Sequence, residues 1–145
     1  MGPILSYLGL AATGVMAWFA AEFIGRPIRT FFDLRMEVRR QMLFLANVQT
    51  ELPKPFVTLE DRSRKRYDDI VSARREKSRT LRELGARMLA YAEGERFAPL
   101  VLHKLGYDPH GAGSALIGLS NHLSTHNEER ARFSIAVGKT LRFPD

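Results

Sequence analysis

Cysteine is absent from this 145-residue chain, which excludes disulfide scaffolds, thiolate metal sites and thiol catalysis together. Lysine is scarce: of 22 basic residues, 17 are arginine and 5 lysine. The 4 histidines are scattered, and Trp18 is the single tryptophan. Charge is missing altogether from the first 21 residues, whereas the remainder carries all 22 basic and 16 acidic side chains and gives the chain a formal net charge of +6. Neither an internal repeat nor a convincing alternation of apolar and polar residues is present, so strands have no sequence support. The length suits one domain, or a small domain with an appendage, and a two-lobed cofactor enzyme is hard to fit into it.

The uncharged N-terminal run is the strongest feature present. From Pro3 to Ala21 every residue is apolar or small, and Phe23 and Ile24 extend the run past Glu22. A helix of that length reaches across a bilayer core, with Trp18 near the interface where aromatic rings settle. A cleaved signal peptide is the competing reading. It lacks a basic leader segment, and Phe19 spoils the small-residue pattern before Ala21. Arg26, Arg29, Arg35, Arg39 and Arg40 follow the run, so the positive-inside rule puts the N-terminus outside and the body in the cytoplasm. Gly9, Thr13 and Ala17 recur every four residues, the spacing at which small side chains let two membrane helices approach.

The body reads as helical throughout. Phe31, Leu34, Val38, Met42, Leu45 and Val48 repeat at three and four residues from Ile28 to about Thr50. That stripe faces either the headgroups, with Phe31 and Phe32 in the acyl boundary, or the core of the domain. Pro53 and Pro55 end the helix. A long helix is expected from Thr58 to Glu93, stopping at Gly94, with Leu81, Leu84, Met88 and Tyr91 as its apolar side. Between Arg62 and Arg87 it carries 10 basic and 4 acidic side chains. A solvated face with i,i+4 pairs such as Arg79 with Glu83 is one reading. Attraction to anionic lipid or to an acidic protein surface through Arg74, Arg75 and Arg79 is another. No nucleic-acid motif accompanies the charge. A short helix over Arg96–Leu105, a turn-rich loop over Asp108–Gly113, a helix from Ser114 and a last helix capped by Asn127 complete the chain.

Signatures of chemistry are thin. His122 and His126 stand four apart with Glu129 nearby and His110 upstream, a set imidazole-binding metals can use. The glutamate base of the zinc-hydrolase pattern is missing between the two histidines. Gly111-Ala-Gly113 lacks the third glycine and the preceding strand of a phosphate loop. Gly118-Leu-Ser120-Asn-His122 is no nucleophile elbow, and Ser120 and Asn121 are read as cross-links between helices. No catalytic, cofactor or metal residue is assigned on these grounds.

The run Gly25-Arg-Pro-Ile-Arg-Thr-Phe-Phe-Asp-Leu-Arg35, together with Leu116-Ile-Gly-Leu-Ser-Asn121, resembles a family of small bacterial single-pass membrane proteins of unknown function. The resemblance implies a bacterial inner-membrane location and carries no activity. The expected architecture is all-α: a transmembrane anchor over 1–25, a juxtamembrane amphipathic helix and linker over 26–57, and a helical cytoplasmic domain over 58–145, the body forming four or five helices. The expected function is a non-catalytic, membrane-anchored interaction protein, an accessory subunit or assembly factor. Its expected contacts are membrane lipids and an integral membrane complex or a second copy, but not nucleic acid. The contact residues are Gly9, Thr13, Ala17, Trp18, Arg26, Arg29, Phe31, Phe32, Arg74, Arg75 and Arg79. The alternatives are a peripheral protein that binds anionic lipid and a metal-dependent enzyme using His122 and His126.

Overall fold

The computed structural model describes residues 12–46, 61–123 and 127–144. All regular structure among them is helical. Residues 12–20 are α-helical, Ala21–Gly25 form one π-helical turn, and α1 (Arg26–Ala46) continues directly from it. The elements α2 (Asp61–Gly94), α3 (Ala98–Lys104), α4 (Pro109–Asn121) and α5 (Asn127–Thr140) follow. The all-α body of up to five helices thus matches expectation.

Pro27 accounts for the π turn. In an uninterrupted α-helix its ring would press on the carbonyl of Phe23, four residues back, and its missing N–H would leave that carbonyl unpaired. The turn is widened just upstream, with the Arg26 N–H donating to Ala21 O, five residues back. Such a bulge takes up the ring without ending the helix. Pro27, a residue type suited to the first turn of a new helix, therefore sits inside a continuous one instead.

Among the described residues no helix is both long and apolar enough to cross a membrane. The span expected over 1–25 lies partly outside the described residues, Gly9 included. Its described apolar part, residues 12–24, is about 20 Å long at 1.5 Å per residue.

Phe31, Leu34 and Val38 on α1 are buried, at 0%, 5% and 0% exposure. Their i, i+3 and i+7 spacing lays one stripe along the helix, and each such side chain contributes about 1.5–3 kcal/mol on burial. The stripe packs in one core with Leu81, Leu84, Met88 and Tyr91 of α2 and with Ala98, Leu102, Leu116, Leu119, Val137 and Leu141. The core-facing reading of α1 is the one realised, and Phe31 is corrected from a lipid or partner contact to a core residue. For the same reason a boundary at 57/58 divides no folding unit: α1 shares its core with α2 to α5.

The rings of Phe31 and Tyr91 lie 6.0 Å apart near one end of the α1–α2 pair, and Lys77 lies over Phe44 at 5.3 Å near the other. The two helices are therefore antiparallel. The most extensive interface joins α2 to α4, and glycine makes it possible. A Cβ on Gly85 would stand 2.9 Å from Gly113 O and 2.8 Å from Ile117 Cγ1, and one on Gly113 would stand 2.7 Å from Leu89 Cγ. The backbones meet where neither helix has a side chain.

The Asp108–Gly113 segment, expected as a loop, opens α4 instead. Asp108 accepts from the Gly111 N–H at 2.9 Å as N-cap, and Pro109 occupies the first turn, where it needs no N–H donor. At the other end of the hairpin, α3 and α5 stop in interlocked reverse turns. After α3, Gly106 (φ +83°) lets Tyr107 N–H reach Leu102 O at 2.9 Å. After α5, Arg142 takes the same left-handed conformation (φ 51°), and Phe143 N–H reaches Gly138 O at 2.9 Å. The strain of a non-glycine residue there is offset by side-chain bonds. Arg142 Nη1 donates to Leu105 O at 2.6 Å, and Arg35 of α1 donates to Leu141 O at 2.8 Å and Arg142 O at 3.0 Å.

Candidate functional site

Two surfaces stand out, and both follow from helix periodicity. On α2, Val71, Arg74, Arg75, Ser78 and Arg82 fall at i, i+3, i+4, i+7 and i+11, one face of the helix. They border a groove of about 410 Å³ whose opposite wall is Ser120, Asn121 and Leu123, at the end of α4 and just beyond it. Two bonds fix that wall to α2. Ser78 Oγ donates to Ser120 O at 2.9 Å, satisfying a carbonyl that α4 leaves open at its C-terminus. Arg82 Nη2 donates to Asn121 Oδ1 at 2.7 Å, so the Asn121 amide nitrogen remains a donor. The expected cross-linking role of this pair holds for the Ser120 carbonyl and the Asn121 side chain. The Ser120 hydroxyl itself turns back onto Ile117 O at 2.7 Å.

Among the described residues no carboxylate lines the groove. Three guanidinium groups, the Asn121 amide and the apolar Val71 and Leu123 form a site suited to carboxylates carried on a partly apolar segment. Guanidinium binds carboxylate through paired parallel hydrogen bonds, which a lysine cannot do. Arg74 and Arg75 were expected contacts, and the fold brings them together. Arg79 is exposed but does not border the groove, and the fold supplies Arg82 instead. Arg79, i+4 from Arg75, sits at the edge of this face, so spacing alone does not separate it from the groove; Asn121 has no local sequence signal. No ion pair joins Arg79 to Glu83 among the described residues.

The second surface is the N-terminal arm. Val15, Met16, Trp18, Phe19, Phe23 and Ile24 are exposed by 65%, 70%, 62%, 46%, 44% and 37%. Thr13 and Ala17 are exposed with them, and Phe19 stacks on Phe23 at 4.2 Å between ring centroids. This is far more contiguous apolar surface than scattered exposed residues produce. Where the arm ends, Glu22 pairs with Arg26 at 2.6 Å and Arg29 stands exposed. Phe32 is half-buried, its ring edge-on to Tyr107 at 5.7 Å.

The histidine set is only partly assembled. His122 Nδ1 lies 2.7 Å from Glu129 Oε2, and the imidazole stacks on Phe133 at 5.2 Å. His126 lies outside the described residues, and His110 is exposed on α4. Among the described residues no three metal-binding side chains converge. Two further groups have perturbed acidities. Burial pushes the Tyr91 phenol up to about 12, helped by the charge of Glu95, and its hydroxyl has no hydrogen-bond partner among the described residues. Hydrogen bonds from Gln41 and then Arg40 hold the Glu37 carboxyl below its usual value.

No family model, no curated protein and no solved structure matches this chain.

Proposed function

We propose that this is a non-catalytic, membrane-anchored interaction protein, an accessory subunit or assembly factor of a bacterial inner-membrane complex. In this reading the arm and the uncharged residues before it enter the bilayer with the N-terminus outside, and α1 to α5 stand in the cytoplasm. The carrying observation is the exposed apolar surface of residues 12–24, continuous with a helix whose next stretch is packed. Residues 12–24 alone fall short of the roughly 30 Å hydrocarbon core, so the uncharged residues ahead of them have to complete the span.

The position of the groove supports one reading of the arginines over the other. The groove lies at the level where Lys77 meets Gln41 and Phe44 of α1, 17 to 20 residues beyond Ile24. At 1.5 Å per residue that is about 25–30 Å from the end of the apolar arm. Screening at physiological salt acts over about 8 Å. Groove arginines held that far from the headgroups have little attraction to them, which favours an acidic protein segment over lipid. For the metal-enzyme alternative, His122 and Glu129 pair with each other, and among the described residues no third ligand joins them.

The reading is tested by affinity purification from detergent-solubilised membranes at native expression, followed by mass spectrometry. A stoichiometric membrane-protein partner is expected, and it is expected to be lost from the Arg74→Glu/Arg75→Glu/Arg82→Glu variant, which stays helical by circular dichroism although it gives up the Arg82–Asn121 bond. A solitary monomer, or a partner indifferent to the triple reversal, contradicts it. Elemental analysis of the same sample decides the metal alternative.

A further inference from the structure

The end of the bundle from which the arm issues is closed by residues 95–108, and their exposed chemistry is unusual. The antiparallel register that sets Tyr91 against Phe31 brings Gly94, one turn later, to the level of Ile28. That level is four residues, about 6 Å, past Ile24, where the apolar arm ends. From there the chain enters α3, whose Ala98 and Leu102 are fully buried, and returns through Tyr107, whose ring meets Phe31 at 5.4 Å. The other side of α3 faces out. Phe97, Leu100 and Leu105 are 55%, 65% and 51% exposed, and Phe97, Leu100 and Lys104 share one helical face at i, i+3 and i+7. Arg29, Arg96, His103 and Lys104 stand exposed at this end of the bundle, with Glu93 and Asp108 exposed beside them.

We infer that α3 is a second membrane contact, an interfacial helix that sets Phe97, Leu100 and Leu105 at the acyl boundary of anionic lipid. The inference rests on the proposed insertion of the arm. Large apolar side chains beside lysine and arginine are the composition of helices that lie in the interfacial plane. The polar headgroup layer is about 5–7 Å thick on each side of the bilayer, which matches the 6 Å between the end of the arm and this level. Each basic residue near an anionic surface adds about 1 kcal/mol of attraction. Contact at two places fixes the tilt of the body and holds the arginine groove away from the surface, which a single flexible anchor does not do.

The test uses the full-length chain in phosphatidylethanolamine/phosphatidylglycerol vesicles with bromine placed high on the acyl chains. Trp18, the single tryptophan, reports on the arm. The Trp18→Phe/Leu100→Trp variant reports on α3. The Trp18→Phe/Ile135→Trp variant reports on α5, where Ile135 is 69% exposed but mid-bundle. The expected result is quenching and a blue shift at positions 18 and 100, with neither at 135. Quenching at 18 without quenching at 100 overturns the α3 contact alone. Absence of quenching at 18 overturns the insertion of the arm and the α3 contact with it. Equal quenching at 100 and 135 overturns the end-on orientation.

Discussion

Val15 and Val38 belong to one continuous helical run, yet the first is 65% exposed and the second 0%. Residue type and local conformation are the same; only the neighbours differ. In α1 the apolar positions recur as a stripe, with charged residues between them, and α2 and α3 pack against that helix. In the arm the apolar residues run round the helix, and among the described residues nothing covers them. A helix that is apolar on every side needs surroundings that are apolar on every side. The π turn before Pro27 marks where one regime gives way to the other without breaking the backbone.

The sharpest way to break this contrast is to place the same charge in both halves. Val38→Asp buries an unpaired carboxylate in the shared hydrophobic core and is expected to cost about 4–5 kcal/mol or to prevent folding. Val15→Asp is expected to leave the thermal unfolding of the body in place while weakening membrane recovery. Equal melting shifts would mean that the arm is part of the folded core. Next in size is Gly113→Ala. Its methyl group meets backbone and the Leu89 side chain, and separating α2 from α4 is expected to cost about 3 kcal/mol, measured by chemical denaturation.

Two arginines sharpen the contrast within α1. Arg35 lies over Tyr107 and Phe143, at 5.6 and 5.2 Å, while closing the end of α5. Arg35→Ala is expected to cost about 2 kcal/mol through its charged hydrogen bonds, whereas Arg29→Ala leaves stability unchanged. A calorimetric comparison of the two variants checks this. The smallest effect concerns Tyr91. Its phenol titrates near 10 when unfolded and near 12 in the fold, so the unfolded chain loses its proton first as pH rises. The neutral phenol's contribution is therefore complete below pH 10 and is lost between 10 and 12, at up to about 1 kcal/mol per pH unit. Tyr91→Phe is expected to remove that slope and, by deleting an unpartnered hydroxyl, to cost nothing near neutrality. Urea midpoints measured across the window decide it.

Much of this architecture was legible in the residues. Period and breakers gave the α1 stripe, the stop of α2 at Gly94, and the start of the last helix at Asn127. The start of α4 was not legible, because proline and two glycines within five residues carry every local signal of a loop. What overrides that signal is Gly85, 28 residues away, whose approach to Gly113 exists only in the folded chain. The groove was half legible: spacing along α2 groups Arg74, Arg75 and Arg82, but Asn121 joins them through α4. Phe31 was misplaced because an aromatic beside a membrane signal fits lipid and core equally well until its neighbours are known.

The absence of cysteine allows the central claim to be measured without background. Single Met16→Cys and Arg39→Cys variants, placed in the two halves of the same helix, are exposed to a membrane-impermeant maleimide in inverted inner-membrane vesicles. Arg39→Cys is expected to label readily, and Met16→Cys only after the membrane is dissolved and the chain denatured. Labelling of Met16→Cys at the rate of Arg39→Cys in intact vesicles would contradict an arm buried in lipid.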